Sequence, residues 1–130
     1  KHRLYIITNN KPCSIRSKSV FEVALRFFLA VREVSVKKPV LANFGELDNL
    51  EGFSSKKDAT ELEEKLKKCP ASGDCEVILY PGVGHAFMNA KPDPYESFEA
   101  REKSQGFAPY DETQANEAWK NVKTFFEKYV

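Results

Sequence analysis

The sequence predicts a three-layer α/β domain: a small parallel sheet of about three strands between helices. Two observations carry this. Short runs rich in β-branched and aromatic residues alternate with longer runs of helical period, strand then helix three times over. Each run is closed by Pro, Gly or Asn. A strand–helix–strand unit returns the chain by a right-handed crossover, which sets the strands parallel. The expected strand order is sequential, with the last helix on the opposite face of the sheet from the other two. The 130 residues form one domain on this reading.

The first strand is Arg3–Thr8, RLYIIT, broken by Asn9-Asn10-Lys11-Pro12. Ser19 then reads as a helix N-cap, with Glu22 three residues on closing a capping box. The next helix, from Val20, has Val20, Ala24, Phe27 and Val31 on one stripe, and Phe21, Leu25, Phe28 and Leu29 widen it. A helix apolar over most of its circumference is covered on two sides. The cover is either the domain's own core or a partner.

Pro39–Phe44, PVLANF, is the second strand, and Gly45–Asn49 is its carboxyl-end loop. Ser55 caps the next helix, with Asp58 as its box partner. Ala59, Leu62 and Leu66 make a narrow apolar stripe, and the lysines from Lys65 to Lys68 suit a helix C-terminus. Pro70 and Gly73 end it. Cys75–Tyr80 is the third strand, stopped by Pro81-Gly82, with Gly84 loosening the backbone before His85. Ala90–Tyr110 is a long irregular stretch, with a short helix expected over Glu96–Lys103; connections of this length are functional or mobile. The last helix starts near Asp111 or Thr113. Its repeat of Ala115, Ala118, Trp119, Val122, Phe125, Phe126 and Tyr129 reads as core packing, Trp119 and Phe126 included.

Composition excludes several classes. A 42% hydrophobic and 30% charged chain is a soluble globular protein by default. A net charge of +1 makes no electrostatic case for nucleic acid or an anionic membrane. The longest apolar run, Val20–Val31, is interrupted by Glu22 and Arg26 and falls short of the ~20 residues that cross a bilayer. No signal peptide is visible. Three cysteines in no framework spacing point to reduced thiols and a cytoplasmic setting. Two histidines and scattered cysteines fit no zinc spacing, and no phosphate-cradling glycine motif occurs, so neither metal nor cofactor is expected.

The chemistry the chain carries lies after its second and third strands. Asp48 follows one and His85 the other, and loops after adjacent parallel strands lie side by side at the sheet's carboxyl edge, where open α/β sheets keep their ligands. A histidine base needs a carboxylate on its other ring nitrogen to fix the tautomer and stabilise imidazolium. Taken singly, Asp48 is ordinary turn chemistry and His85 a loop hydrogen-bonder. Together they predict a pair at one edge of the sheet, near enough for a hydrogen bond directly or through water.

From about Val36 to Val130 the sequence resembles the carboxyl-terminal part of the dienelactone hydrolase family of α/β-hydrolases. The resemblance rests on KKPVLANFGELD (Lys37–Asp48), VILYPGVGHAFMN (Val77–Asn89) and EAWKNVKTFFEKY (Glu117–Tyr129), in that order. It implies an abbreviated α/β-hydrolase fold, Asp48 as triad acid, His85 as triad base, and lactones or carboxylic esters as ligands. The Ala90–Tyr110 stretch is longer than the resemblance leads one to expect. Such hydrolases carry their nucleophile on a strand-to-helix elbow, G-x-[SC]-x-G. No such motif occurs here, and Lys1–Val34 does not resemble the family.

Cys13 is the one candidate nucleophile: it follows a strand, precedes a helix, and the order Cys13, Asp48, His85 is correct. Against it stand the long Asn9–Ser17 connection and Pro12 in place of a small residue. The expectation is therefore a truncated, non-catalytic relative that binds a small ligand or a partner at the old cleft edge. The alternative is a weak ester or lactone hydrolase using Cys13 or a nucleophile supplied by a partner. An open sheet edge and the Val20–Val31 helix also predict a homodimer or another protein partner, the alternative being a monomer in which Lys1–Asn10 folds back over the edge.

Overall fold

A computed structural model describes residues 5–8, 39–69 and 72–129. Cys13, the Ser19 cap and the Val20–Val31 helix lie outside the described residues. The fold is α/β. Strands β1 (Tyr5–Thr8), β2 (Val40–Gly45) and β3 (Cys75–Tyr80) form one parallel sheet in sequential order. Val40 pairs with Tyr5 on one side and with Cys75 on the other, which makes β2 the central strand. Its six residues are all buried, as a strand covered on both faces must be. Among the described residues β3 pairs only with β2. Helices α1 (Lys56–Leu66), α2 (Phe98–Gln105) and α3 (Glu112–Tyr129) and a 3-10 turn at Ser72–Asp74 complete the described elements. No described helix is long and apolar enough to cross a membrane.

The alternation of side chains along β2 divides the core. Val40, Ala42 and Phe44 point to one face and pack with Ala59, Leu62 and Leu66 of α1 and with Cys69. Leu41 points to the other face and packs with Tyr80, Phe87, Met88 and with Ala118, Val122 and Phe125 of α3. α3 therefore lies across the sheet from α1, as expected. Burying one such aliphatic or aromatic side chain contributes roughly 1.5–3 kcal/mol. The exposed helix pairs Lys65–Glu61, Lys67–Glu63 and Lys123–Glu127 contribute at most about 0.5 kcal/mol each, so the two clusters hold the fold.

α1 begins where the sequence places it. Ser55 Oγ accepts from the Asp58 amide at 3.3 Å, and Asp58 Oδ2 accepts from the Ser55 amide at 3.0 Å, so the capping box is closed. α2 starts at Phe98 behind the Ser97 cap, two residues later than expected, and ends on Gly106, whose φ of 67° is the left-handed turn that stops a helix. Cys69 is buried and Cys75 half-buried, and burial pushes the Cys75 thiol up.

One expectation for α3 is corrected. Its buried residues are Ala115, Ala118, Val122 and Phe125. Trp119 is 48% exposed and Phe126 42%, so neither is core. Each sits one position past the buried strip, about 100° further around the helix. Trp119 Nε1 donates to the Met88 carbonyl at 3.0 Å, which ties α3 to the segment after β3.

Tyr80, the last residue of β3, is buried in the α3-side cluster with its hydroxyl in a polar relay. It donates to Asn43 Oδ1 at 3.0 Å and accepts from Asn121 Nδ2 at 3.0 Å. Burial pushes its pKa up, more than the Asn121 hydrogen bond pulls it down. A folded-state pKa raised above the unfolded value of about 10 gives stability that is fully present below pH ~10 and is lost as pH climbs from there through the folded value. The stability difference between wild type and Tyr80→Phe, measured by urea unfolding, should be constant from pH 7 to 9 and shrink above pH ~10. A difference independent of pH up to 11 would show that Tyr80 ionises as it does in the unfolded chain.

Candidate active site

The site is made where β2 and β3 end. Past the strands the two chains stay zipped: the Glu46 amide donates to the Tyr80 carbonyl at 2.9 Å, and the Leu47 amide to the Val83 carbonyl at 2.9 Å. The approach is too close for a side chain. A Cβ on Gly45 would sit 2.5 Å from the Gly84 carbonyl oxygen and 2.6 Å from that of Val83. Glycine is thus required at the end of β2, and its consequence is that the loops carrying Asp48 and His85 run against each other.

Asp48 and His85 meet there. His85 Nδ1 lies 3.0 Å from Asp48 Oδ2. The Asp48 side chain is fully buried, and that of His85 is 18% exposed. The other carboxylate oxygen, Oδ1, accepts from the Leu50 amide at 3.0 Å, an Asx turn that fixes the carboxylate on its own loop. A carboxylate accepts, so the neutral imidazole places its proton on Nδ1 and leaves Nε2 as the basic nitrogen. Nε2 has no hydrogen-bond partner among the described residues. An imidazole held this way, with its basic nitrogen free at a partly open surface, can take a proton from a nucleophile or a water and later return it.

Three further residues gather around the pair, and sequence reasoning missed all of them. Ser54 Oγ lies 3.5 Å from His85 Nδ1, a second and longer contact at the nitrogen that Asp48 holds. Ser54 is buried, one residue before the Ser55 cap, and only the cap has a local signature. Phe107 places its ring 5.0 Å from the imidazole, tilted by 50°. Close to Phe107 lies Arg101, 4% exposed, with its guanidinium 6.0 Å from the Phe107 ring centre and 5.0 Å from that of Phe98. Arg101 Nε and Nη1 have no hydrogen-bond partner among the described residues, and burial pulls the pKa of this guanidinium down. The long stretch before α3 is therefore part of the site.

Ala86, directly after His85, has φ of 57°, left-handed backbone that costs a non-glycine residue about 1 kcal/mol. Such a conformation persists where its surroundings over-determine it. Here Phe87, the next residue, is driven into the α3-side core and is 2% exposed. The turn at Ala86 thus lets His85 stay at the surface while its neighbour goes inside. On the opposite loop Leu47, Leu50 and Phe53 are 53%, 40% and 54% exposed and make an apolar lip beside the pair.

A cavity of about 300 Å³ lies at the other end of β3, lined by Asp74, Cys75, Asn121, Phe125 and Tyr129. It is at the amino edge of the sheet, away from His85. Cys13 falls outside the described residues, so its distance from His85 is not part of this geometry. Among the described residues no group of His, Cys, Asp and Glu could hold a metal ion.

No curated protein matches the chain. A family profile does: that of the dienelactone hydrolase family, over residues 30–130, which is more than half of the chain and starts ahead of Val36, where the resemblance in motifs begins. The match takes in β2, β3, both loops that carry the pair, and all three helices. An aspartate and a histidine joined at the carboxyl edge of a parallel sheet, within sequence that fits one profile throughout, make this chain a member of the dienelactone hydrolase family.

Proposed function

We propose that this chain carries the acid and base of a carboxylic ester or lactone hydrolase, and that these 130 residues by themselves bind such a ligand without turning it over. The observation that carries the reading is the His85 Nδ1–Asp48 Oδ2 contact of 3.0 Å with Nε2 left free among the described residues. Asp48 orients the imidazole, and His85 Nε2 is the base. The apolar lip of Leu47, Leu50 and Phe53 covers the acyl or ring portion of the ligand. Turnover needs two further parts, a nucleophile on an elbow and amides that receive the oxyanion. The sequence holds no elbow motif, and each missing oxyanion donor costs about 3–4 kcal/mol of transition-state stabilisation.

A second reading is favoured by the care with which the pair is built. A fully buried carboxylate is costly to desolvate, and a surface that only binds has no use for one aimed at a histidine. On this reading the nucleophile is Cys13 or belongs to a partner, and the chain is a weak hydrolase. A chromogenic acetate ester separates the two. Pure protein is expected to release no chromophore above a His85→Ala control. Turnover with a burst, abolished by His85→Ala and also by Cys13→Ala, would establish the second reading in its place.

A further inference from the structure

We propose that Phe107 is a positioning residue for His85: its ring, backed by Arg101, keeps Nδ1 on Asp48 and off Ser54. This rests on His85 acting as a base through the tautomer that Asp48 selects. The need arises from the geometry of the imidazole. One hydrogen bond holds a ring at one atom, and the ring can still pivot about that contact. Nδ1 has two oxygens within reach, Asp48 Oδ2 at 3.0 Å and Ser54 Oγ at 3.5 Å. They differ in kind. A carboxylate only accepts, so it demands a proton on Nδ1. A serine hydroxyl can donate as well, so a ring that swings toward Ser54 can carry its proton on Nε2, the tautomer that cannot act as base there.

Phe107 closes the direction of that swing. The segment that carries it crosses the histidine loop at Gly84, where an added Cβ would lie 3.0 Å from Ala108 Cβ and 3.1 Å from the Ala108 amide nitrogen. Ala108 therefore lies directly against the histidine loop, and the ring of Phe107, one residue before it, is 5.0 Å from the imidazole. The Arg101 guanidinium lies 6.0 Å from the Phe107 ring centre and 5.0 Å from that of Phe98. Phe98 stacks on Tyr110 at 4.0 Å with the rings 2° from parallel, and the Tyr110 amide donates to Glu102 Oε1 at 2.7 Å. The half-buried Phe107 ring thus has the imidazole at 5.0 Å and the Arg101 guanidinium at 6.0 Å as its neighbours. A buried cation within 6.0 Å of two aromatic ring centres, with two of its nitrogens lacking hydrogen-bond partners among the described residues, is accounted for by this contact.

The test is nitrogen-15 NMR of the full 130-residue chain, which needs no substrate and no turnover. Wild type is expected to show His85 as the Nδ1–H tautomer, with that proton far downfield and protected from water. Phe107→Leu keeps an apolar side chain and removes the flat wall. It is expected to give mixed tautomers and to lose the downfield proton to exchange, with the amide spectrum of both core clusters unchanged. Phe107→Tyr restores the wall and should restore the signal. A Phe107→Leu spectrum with the Nδ1 proton intact would overturn the proposal. So would unfolding of Phe107→Leu, since Phe107 would then be a core residue of the fold. Ester turnover or its absence leaves this result unaffected, so the proposal and the functional reading fail separately.

Discussion

Gly45→Ala is expected to lower stability by about 3 kcal/mol, the upper part of the range for overpacking, and to break the Asp48–His85 contact. The added methyl would meet two carbonyl oxygens, of Gly84 and Val83, at 2.5 and 2.6 Å. Neither belongs to a flexible side chain that could swing away, so the backbone of one loop must move. The Leu47–Val83 hydrogen bond lies next to that clash and should go with it. At about 4 °C per kcal/mol, the thermal midpoint falls by roughly 12 °C. Gly82→Ala is the control. Gly82 has φ of 72° and nothing within 4 Å of an added Cβ, so alanine there meets only left-handed strain of about 1 kcal/mol. Thermal unfolding of both variants, with the His85 ring signals followed by NMR, makes the comparison. Should Gly45→Ala cost no more than Gly82→Ala and leave the ring signals unmoved, the seam between the loops is not what brings the pair together.

How far the fold and site could be read from sequence depends on the range of the interactions involved. The β3 boundaries, Cys75–Tyr80, come directly from its residues because Pro81-Gly82 stops it. The Ser55–Asp58 box was legible because both partners lie within four residues of each other. The Asp48–His85 contact spans 37 residues, and it was legible because parallel topology puts consecutive loops together. Periodicity gave the face of α3 but not its edge. In the run Ala118-Trp119 and again in Phe125-Phe126 both neighbours are apolar, and only the first of each pair is covered. Ser54, Arg101 and Phe107 had no signal at all. The place of Phe107 depends on where an irregular segment crosses Gly84, and that of Ser54 on where its loop meets His85, and no propensity or spacing encodes either meeting.

Phe87→Ala is expected to cost about 4 kcal/mol, within the range for removing a buried aromatic side chain, and to release His85 from Asp48 by way of the backbone between them. Phe87 is 2% exposed and its ring lies 5.1 Å from that of Tyr80, tilted by 39°. It enters the core directly after the strained turn at Ala86. The burial of Phe87 holds that turn in place. Strain of about 1 kcal/mol at Ala86 is sustained because burying Phe87 contributes more, roughly 3 kcal/mol. With the ring removed the balance reverses, and Ala86 is free to relax to negative φ. His85, one residue before, would then rotate with the backbone. Phe44→Ala is the matched comparison: an equally buried ring, 1% exposed, in the cluster on the other face of the sheet. It should destabilise by a similar amount while leaving the His85 Nδ1 proton in place in the molecules that remain folded. Urea unfolding gives the first quantity, and NMR below the transition gives the second. Equal loss of the His85 signal in both variants would show that the site answers to global stability alone; loss in Phe87→Ala only would show that the core fastens the histidine through this one side chain.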